Sequence, residues 1–144
     1  MVLGSGNGNT AYNNLVWGNW YGIDLGYGGV APTNNTVYNN TVYNNQAYGI
    51  FIDSDMTGAI VRNNIVYANA WGDLINYGIS SALDHNLAGN DPKFVNVATG
   101  DFHLQPGSPA IDAGITLDTV TTDIDGTPRP QGGIYDLGTY ELVP

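Results

Sequence analysis

One phrase returns along this chain at a near-constant interval, and it constrains the fold more than any other feature. Asn14-Leu-Val-Trp-Gly-Asn19 aligns with Asn40-Thr-Val-Tyr-Asn-Asn45 and with Asn64-Ile-Val-Tyr-Ala-Asn69. A weaker fourth copy runs from His85-Asn86-Leu87 to Asn90, and the leading asparagines lie 26, 24 and 22 positions apart. A glycine follows each of the first three copies: Gly22, Gly49 and Gly72. Short alternating apolar segments with that period, separated by Gly and Asn, predict the coils of a parallel β-solenoid, each laying two or three short strands over those beneath. A helical alternative fails, because β-branched, Asn-rich segments with no 3.6-residue period are poor helix formers.

Alternation within Thr41-Val42-Tyr43 puts Val42 inward, with Val16 and Val66 in the equivalent places. Ile23, Ile50, Ile52, Leu74 and Ile79 are the expected companions. Asparagine suits the bend between strands, because it tolerates left-handed backbone and its amide both donates and accepts. Stacked coils would align Asn14, Asn40, Asn64 and Asn86 in one ladder and Asn19, Asn45 and Asn69 in a second, each amide satisfying the next. The additional Asn34-Asn-Thr-Val-Tyr38 falls outside this register and is read as a further strand of the second coil.

The pattern Asn-Asn-x-Val-Tyr-x-Asn followed by Gly-Ile-x-Ile resembles the right-handed parallel β-helix proteins of the pectate-lyase-like type, mostly secreted bacterial proteins acting on polysaccharides. The tail is similar to the closing segment of many such proteins: Asp91-Pro-Lys-Phe-Val95, Phe102 to Gly114, Asp123-Ile-Asp-Gly-Thr-Pro-Arg-Pro130 and Tyr135-Asp-Leu-Gly-Thr-Tyr-Glu141. The resemblance implies an all-β right-handed parallel β-helix of three to four coils over residues 1–90, with residues 91–144 as a C-terminal capping segment of the same domain. It also implies a secreted or cell-surface location and a polysaccharide or oligosaccharide partner. Lyases of this type use an Arg or Lys base near acidic calcium ligands, and glycosidases of the fold use clustered aspartates with a neighbouring His. Here Arg62 is the sole basic residue among the coils, and no His accompanies Asp53 and Asp55.

Charge narrows the partners. Thirteen acidic residues face three basic ones, Arg62, Lys93 and Arg129, for a net charge of −10. Such a chain cannot neutralise a phosphate backbone, so nucleic acid is excluded as a partner, and no apolar run is long enough for membrane insertion as a helix. Cysteine is absent, so there are no disulfides. The opening MVLGSGNGNT lacks the basic and apolar regions of a signal peptide, which favours a mature segment behind a new initiator Met.

Three groups of residues are candidates for function. Tyr21, Tyr48 and Trp71 precede the aligned glycines, while Trp17, Tyr43 and Tyr67 follow the ladder asparagines. Both sets are expected to stack outward as columns that suit the C–H faces of sugars, or else to stiffen the sheet or lie beneath a loop. Asp53 and Asp55, with Asp24 and Asp73, are expected to gather on one rim, either as a solvated loop or as ligands for Ca²⁺. Asp123-x-Asp125-Gly126 fails as an EF-hand, and a turn tying Arg129 to Asp136 or Glu141 is the simpler expectation. His85 and His103 make no zinc site, and no nucleophilic triad is visible.

Residues 91–144 lose the repeat and gain prolines, as expected of chain folded over the last coil. Phe94, Phe102, Leu104, Ile111, Ile134, Leu137 and Tyr140 would supply the apolar contact. Residues 1–12 offer no comparable plug, which predicts a homo-oligomer through the N-terminal end or further coils upstream. Three functions fit: a glycan-binding or glycan-presenting module without a complete catalytic site; a reduced polysaccharide lyase or glycoside hydrolase using Asp53, Asp55 and Asp73; or a structural, oligomerising module.

Overall fold

Triplets such as Thr-Val-Tyr and Ile-Val-Tyr pack well on a pleated surface, and each forms one side of a coil. In the computed structural model, which describes residues 1–4, 6–26 and 31–144, the first coil comprises β1 (Thr10–Tyr12), β2 (Leu15–Trp17) and β3 (Ile23–Leu25). The second comprises β4 (Thr36–Tyr38), β5 (Thr41–Tyr43) and β6 (Tyr48–Ile52), and the third β7 (Ile60–Arg62), β8 (Ile65–Tyr67) and β9 (Gly72–Asn76). A partial fourth coil holds β10 (Ala82–Asp84) and β11 (Leu87–Ala88). Like strands stack into three parallel sheets, ordered β1-β4-β7-β10, β2-β5-β8-β11 and β3-β6-β9. The fold is the expected all-β solenoid, and Asn34–Tyr38 supplies its β4.

Register puts like over like. Val16 lies against Val42, Val42 against Val66 and Val66 against Ala88. These side chains join Ile23, Leu25, Val37, Ile50, Ile52 and Val61 in a continuous core, where each large aliphatic residue contributes about 1.5–3 kcal/mol by burial. Gly49 has no room for a side chain: a Cβ there would stand 2.4 Å from Val66 Cγ1 and 2.5 Å from the Asp73 carbonyl. Leu74 is only half-buried in the incomplete last layer. Ile79, expected inside, is 59% exposed, because it sits at a bend where it bridges to Thr57.

The paired asparagines have separate tasks. Asn13, Asn39, Asn63 and His85, each just before a ladder position, take φ of 51°, 48°, 57° and 50°; Gly18, Asn44 and Ala68 do the same at the next bend, at 69°, 49° and 61°. The first residue of each pair thus turns the chain through the left-handed region, and the second turns its amide inward. Asn14 Nδ2 donates to Asn40 Oδ1 at 2.9 Å, Asn40 Nδ2 to Asn64 Oδ1 at 3.0 Å, and Asn64 Nδ2 to Asn86 Oδ1 at 2.9 Å. The backbone N–H of each donor residue bonds the same oxygen. In the second ladder the Asn19 N–H donates to Asn45 Oδ1 at 3.0 Å and Asn45 Nδ2 to Asn69 Oδ1 at 2.8 Å. A shorter third column joins Asn9 to Asn35, whose Nδ2 reaches back to the Leu3 carbonyl.

The first residues do more than the sequence suggests. Met1–Leu3 pairs with the outer edge of β3 through a parallel bridge from Val2 to Asp24, with Leu3 N donating to Asp24 O at 2.8 Å and Asp24 N to Met1 O at 2.9 Å.

The tail is not an end plug. β12 (Phe94–Asn96) and β13 (Asp101–Leu104) form an antiparallel hairpin around a 3₁₀ turn at Val97–Thr99. Phe94, Phe102 and Leu104 press on the outer face of β2-β5-β8-β11, against Tyr43, Tyr67 and Ile65. The chain then runs along the flank of the coils, guided by the left-handed asparagines. Asn13 Nδ2 donates to Thr122 O, Asn39 Nδ2 to Asp136 O and Asn63 Nδ2 to Ile115 O, so one column of amides docks the tail across three coils. Its physical reason is polar: bends expose amides and carbonyls along the flank, and an aperiodic, Pro-rich segment can satisfy them where a further coil could not. Ile134 stays 43% exposed outside this contact.

Candidate functional site: an exposed aromatic face

The outer side of β3-β6-β9 carries the aromatics that the tail leaves uncovered. Tyr48 stacks on Phe51 with centroids 4.9 Å apart and planes at 15°. Tyr21 adjoins both, at 6.0 and 6.3 Å, and Phe51 meets Tyr77 at 5.9 Å. Trp71 meets Tyr48 at 5.6 Å and Trp20 at 5.6 Å, both edge to face. Six rings therefore form one connected surface, each contact worth about 0.5–1.5 kcal/mol beyond area burial. Trp20 and Trp71 are each 55% exposed and Tyr77 63%.

Register corrects the expected column of Tyr21, Tyr48 and Trp71. Tyr48 stands opposite Gly72, not Trp71. The bends after Asn45 and Asn69 are each one residue longer than that after Asn19, so Trp71 shares its place with Trp20: Ala47 N donates to Trp20 O and Trp71 N to Ala47 O. Ala47 is buried and puts no ring between the two tryptophans. Trp20, Phe51 and Tyr77 were not singled out from sequence; Phe51 was findable, as the outward residue of Gly-Ile-Phe-Ile.

The other expected column, Trp17, Tyr43 and Tyr67, is largely covered. Phe102 meets Tyr43 at 5.3 Å and Trp17 at 5.7 Å, and Phe94 meets Tyr43 at 6.0 Å. Hydrophobic packing beneath the hairpin claims Tyr43 and Tyr67, while Trp17 at the edge stays 48% exposed.

The acidic rim also divides. Asp24, Asp53 and Asp55 share one edge of the face, where a Cβ on Gly26 would meet Asp53 Cβ and Asp55 Oδ1, both at 2.6 Å. Burial, with Asp53 and Asp55 nearby, pushes the Asp24 carboxyl up to about 6, against the pull of the N-terminal ammonium. Among the described residues, Asp24 Oδ1 and Asp55 Oδ1 are buried without a hydrogen-bond partner. Asp53 Oδ1 accepts from Ser54 N and Oγ. Asp73 does not join them. Its Oδ1 accepts from Asn69 N at 2.9 Å and Asn69 Nδ2 at 2.7 Å, so it closes the second ladder in the place a further asparagine would fill. Asn90, at the end of the weak fourth copy, lies outside the ladder, its Nδ2 reaching Ala88 O. Among the described residues no three carboxylates or histidines converge to hold a metal ion.

The chain matches the family model for the right handed beta helix region over residues 1–96. It belongs to the right-handed β-helix family. No curated protein and no solved structure matches it significantly.

In this β-helix the tail is fastened by charge as well as by amides. Arg129, buried, donates through Nη1 to Glu141 Oε1 and through Nη2 to Gly138 O at 2.8 Å; it touches the backbone of Asp136 but not its carboxylate. Asp136 instead accepts from Asp112 N and Leu142 N, both at 2.7 Å. Asp123 Oδ1 caps its own turn, accepting from Asp125 N and Thr127 N.

Two histidines of the β-helix have carboxylate partners. His85 Nδ1 lies 3.0 Å from Asp84, which also pairs with Arg62 at 2.9 Å. His103 lies between Asp101, 2.7 Å from Nδ1, and Asp125, 3.0 Å from Nε2. Partial burial lowers the His103 pKa, but the hydrogen bonds to the two carboxylates outweigh it and hold the ring above the usual histidine range. A raised folded pKa gives stability that is complete below about 6.5 and lost as pH rises through the folded value. Asp24 acts in the same direction lower down, since a carboxyl held to about 6 favours the fold while protonated. The β-helix should therefore melt at a lower temperature at pH 8 than at pH 5. His103→Gln flattens the upper part of that profile and Asp24→Asn the lower; a melting temperature that climbs across the interval would contradict both assignments.

Proposed function

We propose that this β-helix binds a neutral polysaccharide through the aromatic face of Trp20, Tyr21, Tyr48, Phe51, Trp71 and Tyr77. The observation that carries the proposal is the connected set of rings with its two tryptophans and Tyr77 more than half exposed. Exposed apolar patches of this kind mark interaction sites. Sugar rings present C–H groups to such a surface, and aromatic side chains give large contact area at small entropy loss. Neutrality follows from charge: the face has acidic residues at its edge, and Arg62 and Arg129 are committed to Asp84 and Glu141. A polyuronate would meet repulsion there.

The hydrolase alternative, on Asp53, Asp55 and Asp73, draws less support, because Asp73 is tied to Asn69 at the end of the second ladder and does not stand with the other two. The test is retention on insoluble neutral glycans (cellulose, xylan, mannan) and on polygalacturonate, with calcium and with chelator. The expected result is calcium-independent retention on at least one neutral glycan, no turnover, and at least a ten-fold weakening in the Trp20→Ala, Trp71→Ala double variant. Retention that survives the double variant, or a preference for polygalacturonate, would overturn the proposal.

A further inference from the structure

The seam between the coils and the hairpin holds a cavity of about 250 Å³ that is separate from the aromatic face. Tyr43, Tyr67 and Phe94 form its apolar wall; Asp91, Lys93 and Gln105 form its polar rim. The rim groups are fixed. Lys93 Nζ donates to Gly107 O at 2.8 Å, Lys93 N donates to Asp91 Oδ1 at 2.9 Å, and Gln105 Nε2 donates to Phe94 O at 2.8 Å. Among the described residues each keeps something unspent: two ammonium protons on Lys93, the second carboxylate oxygen of Asp91, and the amide oxygen of Gln105.

We infer that this cavity is a binding site for a single neutral pyranose unit. Its volume falls below the roughly 300–1,000 Å³ of clefts that take drug-sized ligands, so it suits one small ring. Donor and acceptors spaced around an apolar wall match a molecule with one C–H-rich face and a rim of vicinal hydroxyls, each of which both donates and accepts. Asp91 beside the ammonium disfavours phosphate and uronate, as does the net charge of −10. Among the described residues Lys93 is the one cation of the three outside an ion pair with a carboxylate side chain, which leaves it for a ligand. This site stands on its own lining and does not depend on the aromatic face.

The test is a two-dimensional amide NMR titration of the whole chain with the methyl glycosides of glucose, galactose, mannose and xylose, with galacturonate, and with inorganic phosphate. At least one neutral glycoside should shift the amides of Tyr43, Tyr67, Lys93 and Gln105 saturably. Lys93→Met should weaken that binding about ten-fold, the weight of one charge-assisted hydrogen bond, while the melting curve stays in place. Trp20→Ala with Trp71→Ala should leave it unchanged, so failure of the polymer-binding face and failure of this cavity are told apart. A matching neutral oligosaccharide separates chain-end from free-sugar recognition: tighter binding than the glycoside assigns the chain end, equal or weaker binding the free unit. No saturable shift with any neutral glycoside, a response to phosphate or galacturonate alone, or indifference to Lys93→Met would overturn the inference.

Discussion

Replacing Asn64 by alanine lowers the unfolding free energy by about 3–5 kcal/mol, measured by urea denaturation at neutral pH. Asn64 is fully buried, and its Oδ1 accepts the backbone N–H and Nδ2 of Asn40. Its own Nδ2 lies within hydrogen-bond distance of Val37 O, Arg62 O and Asn86 Oδ1. Alanine strands polar groups in two neighbouring coils where water does not reach, and each stranded group costs about 1–3 kcal/mol. Asn14→Ala is the control. At the half-exposed start of the same ladder, Asn14 leaves groups that water can serve, and the loss should stay near 1 kcal/mol. Equal losses at the two positions would mean that the ladder is not a buried coil-to-coil network.

Arg129→Met loosens the tail by a comparable amount, about 3–5 kcal/mol, because it leaves Glu141 charged and buried without its cation. Arg129→Lys should recover little. The guanidinium serves Glu141, Gly138 O and Asp136 O from one planar fork, a geometry an ammonium cannot reproduce. Arg129→Met combined with Glu141→Leu should regain much of the loss, since apolar replacement of a whole buried pair is often neutral. Strict additivity of the two substitutions would show that the pair does not fasten the tail.

The coils were legible in the sequence because stacking repeats the same environment. Val16, Val42 and Val66 occupy identical inward places, so one residue type answers each time, and Asn14, Asn40, Asn64 and Asn86 likewise. Legibility failed where the environment changes from coil to coil. Gly72 follows Asn69 one residue sooner than Gly49 follows Asn45, so Trp71 falls one place short of the column assigned to it. Asp73 was missed as a ladder terminus because a carboxylate mimics the amide oxygen while breaking the Asn pattern. The path of the tail has no period to read, and its docking depends on Asn13, Asn39 and Asn63, 52 to 109 residues earlier. The Asp101–His103 contact was within reach, since residues two apart in a strand share a face.

The central claim is the register that sets each coil over the last, and the absence of native cysteine makes it directly measurable. Thr10 and Thr36 are cross-strand partners with hydroxyls 2.8 Å apart, whereas Val37, one residue on, turns into the core. Mild oxidation should rapidly and quantitatively cross-link a Thr10→Cys, Thr36→Cys variant, and leave a Thr10→Cys, Val37→Cys variant reduced while folded. Equal cross-linking of the two, or cross-linking of the second alone, would contradict the stacked coils.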